Sequence, residues 1–151
     1  MARVKAFRRY NITVCANLMF GFDADTDATF DHTYHFIKTT KLVPNPYVLT
    51  PYPGTPLYDD MVRHRRLLHT DYTKYTAYQT VFRPTNFSPE DLDKSFTRFF
   101  RRVYNVPNIL RRFFSMLKWR SPVGSFFTQL AIMRNSLQVR YNVRHGILPY
   151  Y

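Results

Sequence analysis

Two short stretches of the chain combine turn-forming residues with side chains that could contact a ligand. In the first, an apolar run ends at Gly21 and continues into Asp23 and Asp25. The second, residues 51–56, consists of three prolines, a tyrosine, a glycine and a threonine. A glycine at a strand end lets the backbone approach a ligand, and the helix start after it offers unpaired N–H groups. The aspartates could accept hydrogen bonds from a ribose or an amine, although a capped helix after a buried strand also explains this spacing.

The elements around these stretches follow a strand–helix–strand–helix order. Residues 12–20 form a nearly continuous apolar run, which predicts a strand buried on both faces of a parallel sheet, with Cys15 inside it. Residues 47–50 predict a second strand. Because ligand sites of such βαβα units lie at the carboxyl ends of the strands, both turns are candidate site segments.

Helix signals surround the two strands. Asp25 or Thr26 can cap the first helix, and Thr55 followed by a proline predicts the start of the second. Ser88 begins a strongly amphipathic helix. Its predicted buried face consists of Leu92, Phe96, Phe99, Phe100, Val103 and Tyr104. Prolines at positions 107 and 122 predict two more helices, which end near residues 119 and 144, whereas residues 79–82 predict a short strand.

Charge divides the chain into two unlike parts. Residues 1–60 hold 6 basic and 6 acidic side chains, whereas residues 61–151 hold 16 basic and 4 acidic ones, which accounts for the net charge of +12. In the second part, aromatic residues 113, 114, 119, 126 and 127 lie among basic residues 111, 112, 118 and 120. This pattern is compatible with a module that binds nucleic acid or an anionic membrane, or with aromatic packing in a core.

Other signals for chemistry are sparse. Cys15 is the only cysteine, so this chain alone cannot build a disulfide or a cysteine-rich cluster. His32 and His35 lie three residues apart beside Asp31, but no third ligand for a metal is placed nearby. Neither a signal peptide nor a membrane span is predicted, and a cytoplasmic protein is expected.

The two turn stretches carry a resemblance to a known family. Residues 18–26 and 50–58 look like the last part of a radical S-adenosylmethionine (SAM) enzyme of the subgroup with a cobalamin-binding domain. Further similar phrases stand at residues 66–68, 71–72, 81–84, 87–92, 100–104 and 109–111. The resemblance implies an α/β fold: the last two βα units of a partial (β/α) TIM-type barrel of six strands over residues 1–68. A basic, mainly helical region over residues 69–151 follows.

The same resemblance implies roles for individual residues. The cofactor side would be lined by Phe20, Gly21, Phe22, Asp23 and Asp25. The substrate cleft would be shaped by Tyr52, Gly54 and Thr55. No residue is assigned to catalysis or to a metal.

The implied cofactors of the full-length family are SAM, a four-iron four-sulfur cluster and cobalamin. The cysteine motif for the cluster is absent here, so none of them is expected to bind this chain alone with full affinity, and the chain is expected to be inactive alone. The implied partners are the N-terminal barrel half and the cobalamin domain. Pairing of two copies through exposed sheet edges is a further possibility.

Overall fold

The computed structural model describes residues 6–7, 10, 12–40, 42–117 and 124–144. These form a mixed α/β structure with two strands, five α-helices and one short 3-10 helix. The elements are β1 (Cys15–Phe20), α1 (Asp27–Thr40), β2 (Val43–Val48), α2 (Pro56–Arg63), the 3-10 helix (Tyr72–Lys74), α3 (Pro89–Val103), α4 (Val106–Leu117) and α5 (Gly124–Arg144). Within those described ranges, no helix is both long enough and apolar enough to cross a bilayer.

The two strands pair in parallel, as the strand–helix–strand order predicts, and Cys15 lies opposite Val43. The predicted start of β1 and the predicted range of β2 are wrong. β1 begins three residues later than expected, and β2 covers residues 43–48 rather than 47–50. The prolines at positions 44 and 46, which end the preceding helical pattern, are part of β2. Proline is compatible with an extended strand whose outer edge needs no N–H donor.

The prediction that both faces of β1 are buried is also wrong. Cys15 is exposed and Met19 is 48% exposed, whereas Phe20 is 1% exposed. Successive side chains of a strand point to opposite faces, and here only the face that carries Phe20 is covered, with Ala16 and Leu18 partly buried on it. The apolar run in the sequence therefore corresponds to a strand that is covered on one face only.

The main core lies between the covered face of the sheet and helices α1 and α3. The Phe20 ring stacks on Phe30 with centroids 4.3 Å apart, and the Phe99 ring meets it edge-on at 4.8 Å. The buried face predicted for α3 is confirmed in full. Aromatic pairs in such offset and edge-on arrangements add to the hydrophobic stabilisation. The core therefore combines residues of the predicted barrel region, 1–68, with residues of the predicted helical region, 69–151.

A smaller core lies beneath the end of β2, where Leu49, Met61 and Phe82 are buried together. The strand predicted over residues 79–82 is reduced to a single antiparallel bridge between Leu67 and Phe82. That bridge holds the segment after α2 against the segment before α3.

The helix starts test the capping predictions. Thr55 caps α2 and Ser88 caps α3, each accepting a backbone N–H with its hydroxyl, as predicted. α1 begins at Asp27, where the Thr26 N–H donates to Thr29 Oγ1 at 3.1 Å. Asp25 does not cap α1, because its carboxylate points back toward the end of β1.

Three basic residues on α3 and α4 take part in packing. The Arg102 guanidinium lies 3.8 Å from the centre of the Tyr34 ring, and Arg112, 8% exposed, donates to the Val103 carbonyl at 3.0 Å. Arg111 donates to the Lys38 carbonyl at 2.6 Å. Residues 118–120, and the aromatic side chains at positions 126 and 127, lie outside what the structure describes.

Candidate functional site

The carboxyl ends of both strands meet at one edge of the sheet, as expected for a parallel pair. Phe20 lies opposite Val48, and the Leu49 N–H donates to the Phe20 carbonyl at 2.8 Å. The two turns that follow therefore start side by side. We define the carboxyl-edge site as residues 20–25 and 49–55, which contain every site residue predicted from the sequence.

The first turn is closed by Asp25. Its Oδ2 accepts the Gly21 N–H at 2.9 Å and the Phe22 N–H at 3.0 Å, while the Asp25 N–H donates to the Phe22 carbonyl at 2.9 Å. A carboxylate that accepts two backbone N–H groups is a strong local brace. Asp25 is therefore engaged in holding the turn.

Gly21 is needed in this turn for two separate reasons. Its φ of +107° lies in a region that residues with a side chain rarely adopt. A Cβ at this position would also lie 3.1 Å from Leu92 Cδ2 and 3.3 Å from Phe82 Cζ. The glycine thus permits helix α3 and the Phe82 segment to pack directly on the end of β1.

Asp23 is held by residues that sequence analysis did not predict. Arg66 donates to both of its carboxylate oxygens, at 2.6 and 3.2 Å, and the Thr85 hydroxyl donates at 2.7 Å. Asn86 donates to the Asp23 backbone carbonyl at 2.8 Å. The Arg66 and Thr85 hydrogen bonds lower the pKa of Asp23 to about 2. No local sequence signal joins residues more than 40 positions apart, so this clamp was missed.

The two phenylalanines of the first turn have opposite environments. Phe20 is buried in the main core, so only its backbone reaches the site, whereas Phe22 is 49% exposed. Tyr52, after β2, is 47% exposed. Phe22 and Tyr52 are therefore the aromatic side chains that the carboxyl-edge site offers to a ligand.

The second turn is closed within itself. The Thr55 N–H and hydroxyl both donate to the Tyr52 carbonyl, at 3.2 and 2.7 Å, and Thr55 Oγ1 accepts the Tyr58 N–H at 3.3 Å. Gly54 has a φ of +82°, yet a Cβ there would meet nothing within 4 Å. Thr55 is thus occupied as a helix cap, and Gly54 serves the turn geometry alone.

Within the described residues, the pair His32 and His35 is not part of a metal site. Asp31, beside His32, forms an ion pair with Arg102 on α3. Across the described portions of the chain, no group of three or more potential metal-ligand side chains lies together.

A phenol pair lies beyond the carboxyl-edge site. The hydroxyls of Tyr58 and Tyr72 are 3.1 Å apart, and the Tyr72 ring meets Tyr75 edge-on at 5.4 Å. The hydrogen bond between the two hydroxyls raises the pKa of Tyr58 to about 12. The Tyr58 hydroxyl therefore stays protonated at neutral pH, and the pair acts as a structural contact of α2.

Three curated relatives resemble this chain, and all three are named as methyltransferases. It is 34% identical over 112 residues to bacteriochlorophyllide d C-12(1)-methyltransferase of Chlorobaculum tepidum, covering 74% of this chain and 24% of the relative. It is 26% identical over 106 residues to the C-8(2)-methyltransferase acting on the same pigment in that organism, covering 70% and 24%. An uncharacterised methyltransferase of Pyrococcus horikoshii is 25% identical over 108 residues, covering 71% and 24%. The chain therefore spans about a quarter of the length of the relatives it matches. No protein-family model matches the chain.

These relatives correct the interpretation drawn from the sequence. Their names specify methyltransferases, and they support neither a radical SAM fragment nor an iron–sulfur cluster or cobalamin as cofactor. The alternative of a module that binds nucleic acid or a membrane surface is likewise not supported, because the names point to methyl transfer. Nor do the two strands that the structure describes form a partial barrel. The residue roles predicted for the carboxyl-edge site remain predictions.

Proposed function

We propose that this chain forms one part of a SAM-dependent methyltransferase and supplies a wall of its ligand cleft. The observation that carries the proposal is the 34% identity over 112 residues to a named methyltransferase. That similarity covers three-quarters of this chain, so it includes most of the described fold. In the whole enzyme, the two βα units would be the last units of a larger parallel β/α fold, with the form of the partial barrel that the sequence predicts.

Within this proposal, the residues of the carboxyl-edge site divide into two roles. Phe22 and Tyr52 are half-exposed and would contact ligand, with the backbone of residues 20–22 on the cofactor side and residues 52–55 on the substrate side. Asp23 and Asp25 already bind Arg66 and the backbone, so they would position the first turn. SAM carries a ribose, an adenine ring and a methyl donor, for which exposed aromatic faces and a rigid backbone are suitable partners.

A chimera tests the proposed function. This chain would replace the matching quarter of the Chlorobaculum tepidum C-12(1) methyltransferase, and transfer of a labelled methyl group from SAM to bacteriochlorophyllide d would be measured. We expect transfer well above that of the enzyme from which the quarter has been deleted. A folded chimera, with a circular dichroism spectrum and melting temperature like those of the parent enzyme but with no transfer, would refute the proposal.

Alanine variants of the chimera then test the ligand-facing role. Phe22→Ala and Tyr52→Ala should each raise the KM for SAM or for the pigment about tenfold, because each removes an aromatic contact with the ligand. Phe36 is a matched control, since it is 46% exposed but lies on α1. Phe36→Ala should leave both KM values unchanged.

A further inference from the structure

The hydrogen bonds between the strands establish which residues face which edge of the sheet. The Val43 N–H donates to the Val14 carbonyl at 3.2 Å, and the Leu49 N–H donates to the Phe20 carbonyl at 2.8 Å. Successive backbone groups of a strand point to opposite sides. Odd-numbered residues of β2 therefore bond to β1, and even-numbered residues of β2 point away from it.

The outer edge of β2 is closed to further pairing. Its even-numbered residues are Pro44, Pro46 and Val48. The two prolines have no N–H, and the Val48 N–H already donates to the Ala77 carbonyl at 2.7 Å. Prolines on an outer edge are a common device that prevents another strand from adding there. β2 is therefore built as the last strand of its sheet.

The outer edge of β1 has none of this protection. By the same alternation, Cys15, Asn17 and Met19 point their N–H and carbonyl groups away from β2. In the part of the chain that the structure describes, the sheet has two strands, so no strand covers this edge. The sequence of β1 contains neither a proline nor a charged residue. An unprotected edge in a natural protein is normally one that is paired.

The uncovered face of β1 agrees with this asymmetry. Cys15 and Asn17 are exposed, and Met19 is 48% exposed, although all three lie inside a strand. Asn45 on β2 donates to Asn17 Oδ1 at 3.2 Å across this face. The open face and the open edge thus belong to the same strand, β1.

We propose that the free edge of β1 pairs with a β-strand from the remaining part of the methyltransferase, and that β2 is the terminal strand of the completed sheet. This inference rests on the proposed function, which supplies the occupant. The matched relatives extend well beyond this chain, since it covers only 24% of their length. Strand addition satisfies the backbone groups of residues 15, 17 and 19 without altering the β1–β2 pairing.

Amide hydrogen exchange followed by NMR tests this pairing residue by residue. In the 151-residue chain, the amides of Ala16, Leu18 and Phe20 should exchange at least about tenfold more slowly than those at positions 15, 17 and 19. In the chimera, the odd-numbered amides should slow by at least about tenfold. Fast exchange of those amides in a folded chimera would overturn the proposal. Protection that grows with concentration in the isolated chain would also overturn it, because a second copy would then occupy the edge.

Proline substitutions provide a matched pair of variants. Asn17→Pro removes an N–H that points outward, whereas Leu18→Pro removes one that bonds to β2. In the isolated chain, Asn17→Pro should leave the exchange of Phe20 nearly unchanged, and Leu18→Pro should accelerate it by about tenfold or more. Equal effects of the two substitutions would show that the outward edge is not free.

Exchange and activity separate this inference from the proposed function. A chimera with protected odd-numbered amides but no methyl transfer would refute the function and retain the pairing. An active chimera with unprotected odd-numbered amides would refute the pairing and retain the function.

Discussion

Gly21 and Gly54 follow neighbouring parallel strands, and both have a positive φ, of +107° and +82°. Their surroundings differ completely. Leu92 and Phe82 lie against Gly21, whereas the space where a Cβ of Gly54 would lie is open. The first turn is further braced by Asp25 and by the Asp23–Arg66 pair, while the second is held by Thr55 within its own few residues. The same sequence signal thus marks a packed junction in one turn and a local bend in the other.

The largest difference between the two turns is expected from alanine substitution of the glycines. Gly21→Ala should lower the free energy of unfolding by about 3 kcal/mol, because backbone strain and overpacking add. Gly54→Ala should cost only about 1 kcal/mol, since strain acts there alone. Urea denaturation of both variants measures the difference, and equal losses would contradict the distinction between a packed and an open glycine.

Asp25→Ala tests the brace of the first turn. It leaves the N–H groups of Gly21 and Phe22 without their acceptor, and Gly21 is buried. A loss of about 2 kcal/mol in the free energy of unfolding is expected. Asp25→Asn is the control, because it retains an amide oxygen as acceptor and should cost less than half as much. If the two variants were equally stable, the two backbone hydrogen bonds would not be what holds the turn.

Thr55→Ala is the corresponding change in the second turn. It removes the hydroxyl that caps α2, and the expected cost is about 1 kcal/mol. Thr55→Ser keeps the hydroxyl and should restore most of the stability in the same denaturation assay. A cost above that of Asp25→Ala would reverse the ranking of the two turns.

The smallest effect concerns pH. Because the folded protein lowers the pKa of Asp23 from 3.8 to about 2, the ionised carboxylate stabilises the fold above its unfolded pKa. That contribution is lost as the pH falls from about 5 toward 2, and it stays below about 1 kcal/mol because the side chain is exposed. The difference in stability between the native chain and Asp23→Asn should therefore shrink over this range. A difference that is independent of pH would exclude ionisation of Asp23 as its cause.

Local signals in the sequence predicted the features that depend on local chemistry. The caps at Thr55 and Ser88, the buried face of α3 and the parallel order of the strands are examples. What the sequence did not reveal depends on tertiary neighbours. The Asp23–Arg66 clamp joins distant segments, and Pro44 and Pro46 reveal their place on an outer edge only once the pairing of β2 is known.

The strand–helix order predicted two neighbouring turns at the carboxyl edge, whereas the resemblance assigned a class of chemistry that the relatives contradict. Residues 20–25 and 49–55 do lie together in the structure, because the Leu49 N–H bonds to the Phe20 carbonyl. A turn of this shape can contact many ligands, so its backbone geometry does not specify a reaction. The proposal of methyl transfer rests instead on the similarity to the methyltransferase relatives.

The most direct test of the account is the rate at which the chimera transfers a methyl group to bacteriochlorophyllide d. We predict transfer that requires the inserted chain and that falls with Phe22→Ala and Tyr52→Ala but not with Phe36→Ala. A correctly folded chimera that transfers no methyl group, or one whose activity is indifferent to Phe22 and Tyr52, would contradict the role of the carboxyl-edge site in methyl transfer.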